Sequence, residues 1–174
     1  MSEVTDRLDK LRRLAYRYAG RAVLCIIHRR GFGSVSLSLE GGPCGEVALR
    51  PLALRDAEGA LDRAKVEREI VIELGGPIAE KIAAGKLEWR GTGRDVLGSG
   101  SAIDLASEVS DSHEAALAQL KYLWLRTRDT LQEPEHWAAT QMLAADLLDR
   151  QVVSARRARE LFRQTRATMR KGTA

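Results

Sequence analysis

The chain has 174 residues, of which 44% are hydrophobic and 30% charged, and these are the proportions of a soluble globular protein with one well-formed core. Two cysteines are too few for a disulfide scaffold, and no signal-peptide pattern opens the sequence, so a reducing cytoplasm is expected. The longest apolar run, from Ala22 to Ile27, is far shorter than the roughly 20 residues of a membrane span, which predicts no transmembrane helix.

The formal net charge is +4, and the positive charge is concentrated near the C-terminus. From residue 150 onward, Glu160 is the single acidic residue. Such a basic segment can attract nucleic acid or an acidic protein, or it can form a solvated helix face that ends in a frayed terminus. We expect one domain over residues 1–165 and a basic, frayed tail over residues 166–174. The basic residues of the segment are Arg150, Arg156, Arg157, Arg159, Arg163, Arg166, Arg170 and Lys171.

Apolar residues recur at helical spacing from Leu8 onward, which predicts an amphipathic helix over residues 5–28 with a basic opposite face. After this helix, Val35, Leu37 and Leu39 alternate with serines. The turn-forming sequence Gly41-Gly42-Pro43 separates them from a second apolar run at 47–49. This pattern predicts a hairpin or a pair of short strands.

Apolar spacing predicts a second helix over residues 61–82, in which Gly75-Gly76-Pro77 should cause a break or a kink. The glycine-rich segment over residues 86–100 is predicted to be a mobile loop. Ser101 to Asp104 is typical of a capping box at a helix start. Pro134 suits the first turn of another helix, and Ser154 can cap the last one. The expected order is a helix, a small sheet and then several helices.

The most informative segment is Ala15 to Val23 in the first predicted helix. A zinc peptidase helix carries His-Glu-x-x-His, because two histidines four residues apart face one metal ion and the glutamate acts as general base. In this chain the ligand positions hold Arg17 and Arg21, and the base position holds Tyr18. A guanidinium has no free lone pair and stays protonated, so neither arginine can bind zinc.

In its other positions this segment resembles the first helix of the FtsH-type M41 metallopeptidases, Ala-Tyr-His-Glu-Ala-Gly-His-Ala-Val. Later segments are similar to segments of the same family in the same order. They are Val35–Leu39 with Gly45-Glu46-Val47, then Leu74-Gly75-Gly76-Pro77-Ile78-Ala79-Glu80, Gly98–Leu105 and the closing region 136–162. The resemblance implies a mainly helical α+β fold of the M41 peptidase type, with a small sheet after the first helix and a C-terminal helical bundle.

The resemblance also implies where function would lie. Asp104 falls at the position of the family's third zinc ligand. The strand with Val35, Leu37 and Leu39 falls at the edge along which the family binds extended substrates. The family assembles into rings, which implies a homo-oligomer, but this chain lacks the Gly-x-x-x-x-Gly-Lys-Ser/Thr motif of an ATPase module. With arginines in place of the histidines, no metal or other cofactor is expected.

The sequence leaves two interpretations of Arg17, Arg21 and Asp104 open. In the first, the arginines supply the charge of the lost Zn2+ and bind Asp104 in a salt-bridged pseudo-active site. In the second, the arginines belong to a basic solvent-facing stripe with Lys10 and Arg13, and Asp104 only caps a helix.

Other candidate groups have weaker support. Glu73 and Glu80 lie seven residues apart, so they share a helix face only if Gly75-Gly76-Pro77 does not break the helix. Cys25 lies in an apolar run and is expected in the core, whereas Cys44 is expected to be exposed in a turn. His113-Glu114-Ala115-Ala116-Leu117 begins like a zinc helix but has no second histidine.

These observations favour a catalytically inactive, metallopeptidase-like domain that binds a peptide or protein partner. One alternative is an active M41-like peptidase with a non-standard metal site. Another is a basic adaptor that binds nucleic acid or an acidic protein through the C-terminal segment. Whether the chain is an enzyme stays open, and the loss of His-Glu-x-x-His argues against it. No membrane partner is expected.

Overall fold

The computed structural model describes residues 2–38, 44–89 and 101–172. Over these ranges the chain forms six helices and one three-stranded antiparallel sheet, which confirms the predicted mainly helical architecture with a small sheet after the first helix. No helix in these ranges is long and apolar enough to cross a membrane. The elements are α1 (Ser2–Ile27), β1 (Phe32–Ser38), β2 (Cys44–Leu49), α2 (Arg63–Ala83), α3 (Ser101–Glu108), α4 (His113–Gln132), α5 (Pro134–Arg150), β3 (Val152–Ser154) and α6 (Ala155–Gly172).

α1 forms where the apolar spacing predicts it, and it buries a face rich in alanine. Ala15, Ala19 and Ala22 have no exposed surface, and such small side chains let a neighbouring helix approach closely. The helix ends at Ile27, and Arg29 adopts a left-handed φ of 55° just after it. A left-handed residue at a helix C-terminus reverses the chain, so α1 leads directly into β1.

α1 and α2 cross at a contact made by glycines. A Cβ atom at Gly20 would lie 2.3 Å from the Ala79 Cβ atom and 2.9 Å from the Gly75 carbonyl oxygen. A Cβ atom at Gly75 would lie 2.1 Å from the Leu24 Cδ1 atom. Only a residue without a side chain permits this approach, which places the two helix backbones next to each other.

α2 runs from Arg63 to Ala83 with Pro77 inside it, so the predicted break at Gly75-Gly76-Pro77 is wrong. Proline has no backbone N–H donor, so it is ordinarily disfavoured in the interior of a helix. Here every residue from Leu74 to Ala79 is buried, and Gly75 and Ala79 contact α1. The burial of this segment outweighs the cost of the missing hydrogen bond.

β1 is the central strand of the sheet, in the order β2-β1-β3. The hairpin of β1 and β2 confirms the predicted pair of strands, with Val35 opposite Val47. β3 was not predicted, because three residues are too few for a recognisable alternation. It pairs with residues 34–36 of β1, and Gln151, with a left-handed φ of 62°, turns the chain into it from α5.

Some of the residues predicted to begin or cap helices do so in the structure. The Ser154 hydroxyl accepts the Arg157 N–H at 3.2 Å, which confirms the cap of the last helix. The helix that begins at Ser101 ends at Glu108, and Ser112 caps a separate helix, α4. Pro134 occupies the first turn of α5, as predicted.

α6 continues to Gly172, so the predicted frayed tail is wrong for residues 166–172, while residues 173 and 174 lie outside the described ranges. Arg166, within this region, donates to Glu135 of α5 at 3.1 Å. Most of the predicted glycine-rich loop, from residue 90 to 100, also lies outside the described ranges. Just before it, Trp89 contacts the buried Trp124 edge to face, with ring centroids 5.6 Å apart.

We predict that Gly20→Ala destabilises the protein, although alanine favours an isolated helix over glycine by about 1 kcal/mol. The added methyl group meets the Ala79 Cβ atom and the Gly75 carbonyl oxygen, neither of which can rotate away. Chemical denaturation should show a loss of about 1–3 kcal/mol in the free energy of unfolding. Ser107→Ala, at an exposed position of α3, should stay within about 0.5 kcal/mol of wild type. A rise in stability for Gly20→Ala would contradict the close crossing.

Candidate functional site

Arg17 and Arg21, at the positions of the zinc ligands in the motif, both form ion pairs with α2. The Nε atom of Arg17 donates to the Glu80 carboxylate at 2.8 Å. The Nη2 atom of Arg21 donates to the Glu73 carboxylate. The pairing runs in opposite directions along the two sequences, so α1 and α2 are antiparallel. An unbroken α2 makes these pairs feasible, because residues seven apart then share one helix face.

A third arginine–glutamate ion pair lies beyond Arg21–Glu73, toward the sheet. Arg30, just after α1, donates from Nε to Glu69 at 2.8 Å and from Nη1 to the Arg50 carbonyl oxygen at 2.6 Å. We call the three pairs, Arg17–Glu80, Arg21–Glu73 and Arg30–Glu69, the arginine–glutamate ladder. Their side chains are between 8% and 29% exposed, so the ladder is partly shielded from water.

Asp104 is not the observed partner of either arginine. It lies in the first turn of α3 and is exposed. The prediction that Asp104 pairs with Arg17 and Arg21 is therefore wrong. Two glutamates of α2 supply the carboxylates instead. The alternative of a solvent-facing stripe is also wrong for Arg17 and Arg21, because both are mostly covered and paired.

Tyr18, at the position of the general base, lies against β2. A Cβ atom at Gly45 would lie 2.4 Å from the Tyr18 ring, so only glycine fits beneath it. Burial raises the pKa of the Tyr18 hydroxyl above its ordinary value of 10.0, although the neighbouring Arg17 and Arg21 and a hydrogen bond from the Gly45 backbone lower it. The side chain is thus a neutral phenol at physiological pH and cannot accept a proton as a carboxylate would.

The two cysteines differ in their surroundings, as predicted. Cys25 is fully buried, and burial raises the pKa of its thiol to about 12. Only the thiolate is a nucleophile, so Cys25 is an inert core residue. Cys44 is exposed at the start of β2.

The predicted peptide-binding edge is wrong for β1, because β1 has neighbours on both sides. Val35 and Leu37 are buried in the centre of the sheet, and Leu39 lies outside the described residues. The local pattern could not reveal this, since the strand that covers β1 comes from residues 152–154.

The outer edge of β2 is unpaired among the described strands. Leu37 donates its backbone N–H to the Gln151 carbonyl oxygen at 2.7 Å, on the β3 side. Backbone directions alternate along a strand, so Ser36 faces β2, where its partner is Glu46. Val47, the next residue of β2, therefore directs its N–H and C=O groups away from β1. We call this side of Cys44–Leu49 the β2 edge.

The β2 edge lies beside α1. By the same alternation the backbone groups of Gly45 also face outward, and the Tyr18 ring packs against Gly45. Tyr18 thus lies at one end of the β2 edge, with Arg17 and Arg21 next to it along α1. A strand edge and the helix that carries Arg17, Tyr18 and Arg21 are adjacent in this structure.

Within the described ranges, one group of three side chains brings potential metal ligands together: Glu133, Glu135 and His136 at the start of α5. The Nδ1 atom of His136 lies 2.8 Å from the Thr130 carbonyl oxygen, and Glu135 is paired with Arg166. These atoms therefore already have partners. At the motif positions themselves, two guanidinium groups and a phenol provide no ligand set for zinc.

No protein-family model matches this chain, and no curated protein matches it. The resemblance to M41 peptidase domains stays a prediction. Glu73 and Glu80, which are weakly supported candidates in the sequence, pair with Arg21 and Arg17. Their spacing of seven residues was the available signal.

We predict that Glu73→Gln lowers stability clearly more than Asp104→Ala does. The first change leaves Arg21 partly buried without its countercharge, which should cost about 1–3 kcal/mol. The second removes an exposed carboxylate from a helix start, where the loss is about 0.3–1 kcal/mol. Urea denaturation of both variants measures the difference. A larger loss for Asp104→Ala would restore the interpretation in which Asp104 is the partner.

We predict that His28 makes the protein less stable as the pH falls below about 6.5. Burial, with Arg126 and Arg68 nearby, lowers the pKa of His28 in the folded state from 6.5. Below about pH 6.5 the unfolded chain therefore binds more protons at His28 than the folded chain does. The free energy of unfolding is at its full value above pH 6.5 and decreases as the pH falls. Thermal melts of wild type and His28→Gln from pH 8 to pH 5 should diverge at the acidic end. Parallel curves would contradict this assignment.

Proposed function

We propose that this protein is a catalytically inactive, metallopeptidase-like domain that binds an extended peptide segment of a protein partner along the β2 edge. The observation that carries the proposal is the unpaired outer edge of β2 beside the former motif helix. An extended peptide can add to such an edge through backbone hydrogen bonds alone. Binding of this kind needs neither a metal ion nor a general base.

The chemistry beside the β2 edge supports binding without hydrolysis. Peptide hydrolysis by a zinc peptidase needs a metal-bound water and a carboxylate base. Arg17 and Arg21 cannot hold the metal, and Tyr18 is a neutral phenol. The carboxylates beside Arg17 and Arg21 belong to Glu80 and Glu73, and both are engaged by these arginines.

The conformation of the β2 edge also favours a bound strand. Gly45 admits the Tyr18 ring on one side, which fixes the distance between β2 and α1. The side chain of Val47 is buried, so β2 is anchored to the core while its backbone groups face outward. An anchored strand loses little conformational entropy when it pairs with a peptide.

We predict that binding follows the alternation of backbone groups in the peptide. A ten-residue binder should first be selected from a random library and then synthesised with N-methyl groups at odd or at even positions. Only one set of amides faces β2 in an added strand, so one methylated form should lose at least tenfold in affinity and the other should change little. Fluorescence anisotropy measures both. Equal losses would contradict strand addition.

Hydrogen exchange locates the bound peptide independently. The outward amide of Val47 should become protected on binding, whereas the Glu46 amide, already paired with β1, should change little. Protection confined to α6 would instead favour the basic-adaptor alternative. Metal analysis of the purified protein addresses the active-peptidase alternative, because stoichiometric zinc together with cleavage of the bound peptide would overturn the proposal.

A further inference from the structure

A basic cleft of about 630 Å³ lies where the end of α1 meets α6. Its apolar lining comes from Ile26, Ile27 and Phe162. Arg29, Arg159 and Arg163 add positive charge around this lining. The volume is within the range of sites that hold small organic ligands, which is about 300–1,000 Å³.

Three of the four arginines in the cleft have no acidic partner in the described part of the chain. Arg166 is paired with Glu135 at 3.1 Å. Arg29, Arg159 and Arg163 take part in none of the ion pairs formed within residues 2–38, 44–89 and 101–172. The cleft therefore concentrates positive charge at Arg29, Arg159 and Arg163 that no acidic side chain of the described residues pairs with.

Local contacts restrict the positions of these arginines. The Arg159 guanidinium lies over the Phe32 ring, 5.2 Å from its centroid. The Nε atom of Arg163 donates to the Arg159 carbonyl oxygen at 3.3 Å. At Arg29 only the backbone is fixed, because its N–H donates to the Ile26 carbonyl oxygen at 3.2 Å in the turn after α1. The Arg159 and Arg163 side chains, held in this way, lose less entropy when they bind a ligand.

The other wall of the cleft is fixed by aromatic contacts. His136 is 8% exposed and stacks on Phe162, with ring centroids 5.8 Å apart. The Arg166 guanidinium lies 5.7 Å from the Phe162 ring centroid. Phe162 is thus a rigid surface between charged and apolar parts of the cleft.

We propose that this cleft binds a phosphate monoester whose organic part is apolar. A guanidinium fork matches two oxygens of a phosphate, and several uncompensated arginines suit its double negative charge. The apolar lining would be covered by the organic part of the ligand, which inorganic phosphate lacks. The proposal rests on α1 and α6 and is independent of peptide binding at the β2 edge.

The arrangement favours a small ligand over nucleic acid. Arg29 and the α6 arginines come from two elements and converge on an apolar hollow, whereas a nucleic-acid backbone is usually followed by charges along an open surface. Arg156 and Arg170, on the same helix but outside the cleft lining, provide such exposed charges and serve as matched controls.

The test is isothermal titration of the full chain with 1-naphthyl phosphate, inorganic phosphate and 1-naphthol. Saturable binding of 1-naphthyl phosphate, at least tenfold tighter than binding of inorganic phosphate and with no saturable binding of 1-naphthol, is the expected result. Arg163→Gln and Arg29→Asn should each weaken it at least tenfold. Asparagine tolerates the left-handed backbone of position 29, which keeps the turn intact.

The controls Arg156→Gln and Arg170→Gln remove the same charge and should change the affinity less than twofold. Equal losses in the controls, or no saturable binding of 1-naphthyl phosphate by wild type, would overturn the proposal. Duplex DNA could also displace 1-naphthyl phosphate. If that displacement required Arg156 and Arg170, it would overturn the proposal in favour of nucleic-acid binding.

Thermal melts check that each variant folds. Arg163→Lys keeps the positive charge but loses the guanidinium fork, so it should bind 1-naphthyl phosphate with intermediate affinity.

Discussion

The close crossing of α1 and α2 is the contact on which the rest of the structure depends. Gly20 and Gly75 let the helix backbones approach, and burial of the central turns keeps α2 helical through Pro77. Because α2 is continuous, Glu73 and Glu80 share the face that meets α1. A break at the proline would rotate the two carboxylates apart, and the motif arginines would lose at least one partner.

The arginine–glutamate ladder gives Arg17 and Arg21 a structural role. Partly buried ion pairs of this kind contribute little net stability compared with apolar packing, but each is costly to break on one side only. The ladder therefore favours one register of α1 on α2. It also engages the carboxylates of Glu73 and Glu80 in ion pairs.

The two proposed binding surfaces use different physical interactions and different elements. The β2 edge offers backbone hydrogen bonds in a region where arginines are neutralised by glutamates. The basic cleft offers uncompensated guanidinium groups around an apolar hollow at the C-terminal end of α1. The two proposed surfaces therefore differ in charge, since the arginines beside the β2 edge are paired and most of those in the basic cleft are not.

The sequence by itself determined the first helix, the hairpin, the caps at Pro134 and Ser154, and the absence of zinc ligands at Arg17 and Arg21. These features follow from local periodicity and from the chemistry of single side chains. Tertiary structure alone decided that α2 continues through Pro77, that residues 152–154 cover β1, and that the arginines pair with Glu80 and Glu73. Each of these outcomes depends on contacts between residues far apart in the chain, whose burial outweighs the local preferences that the sequence displays.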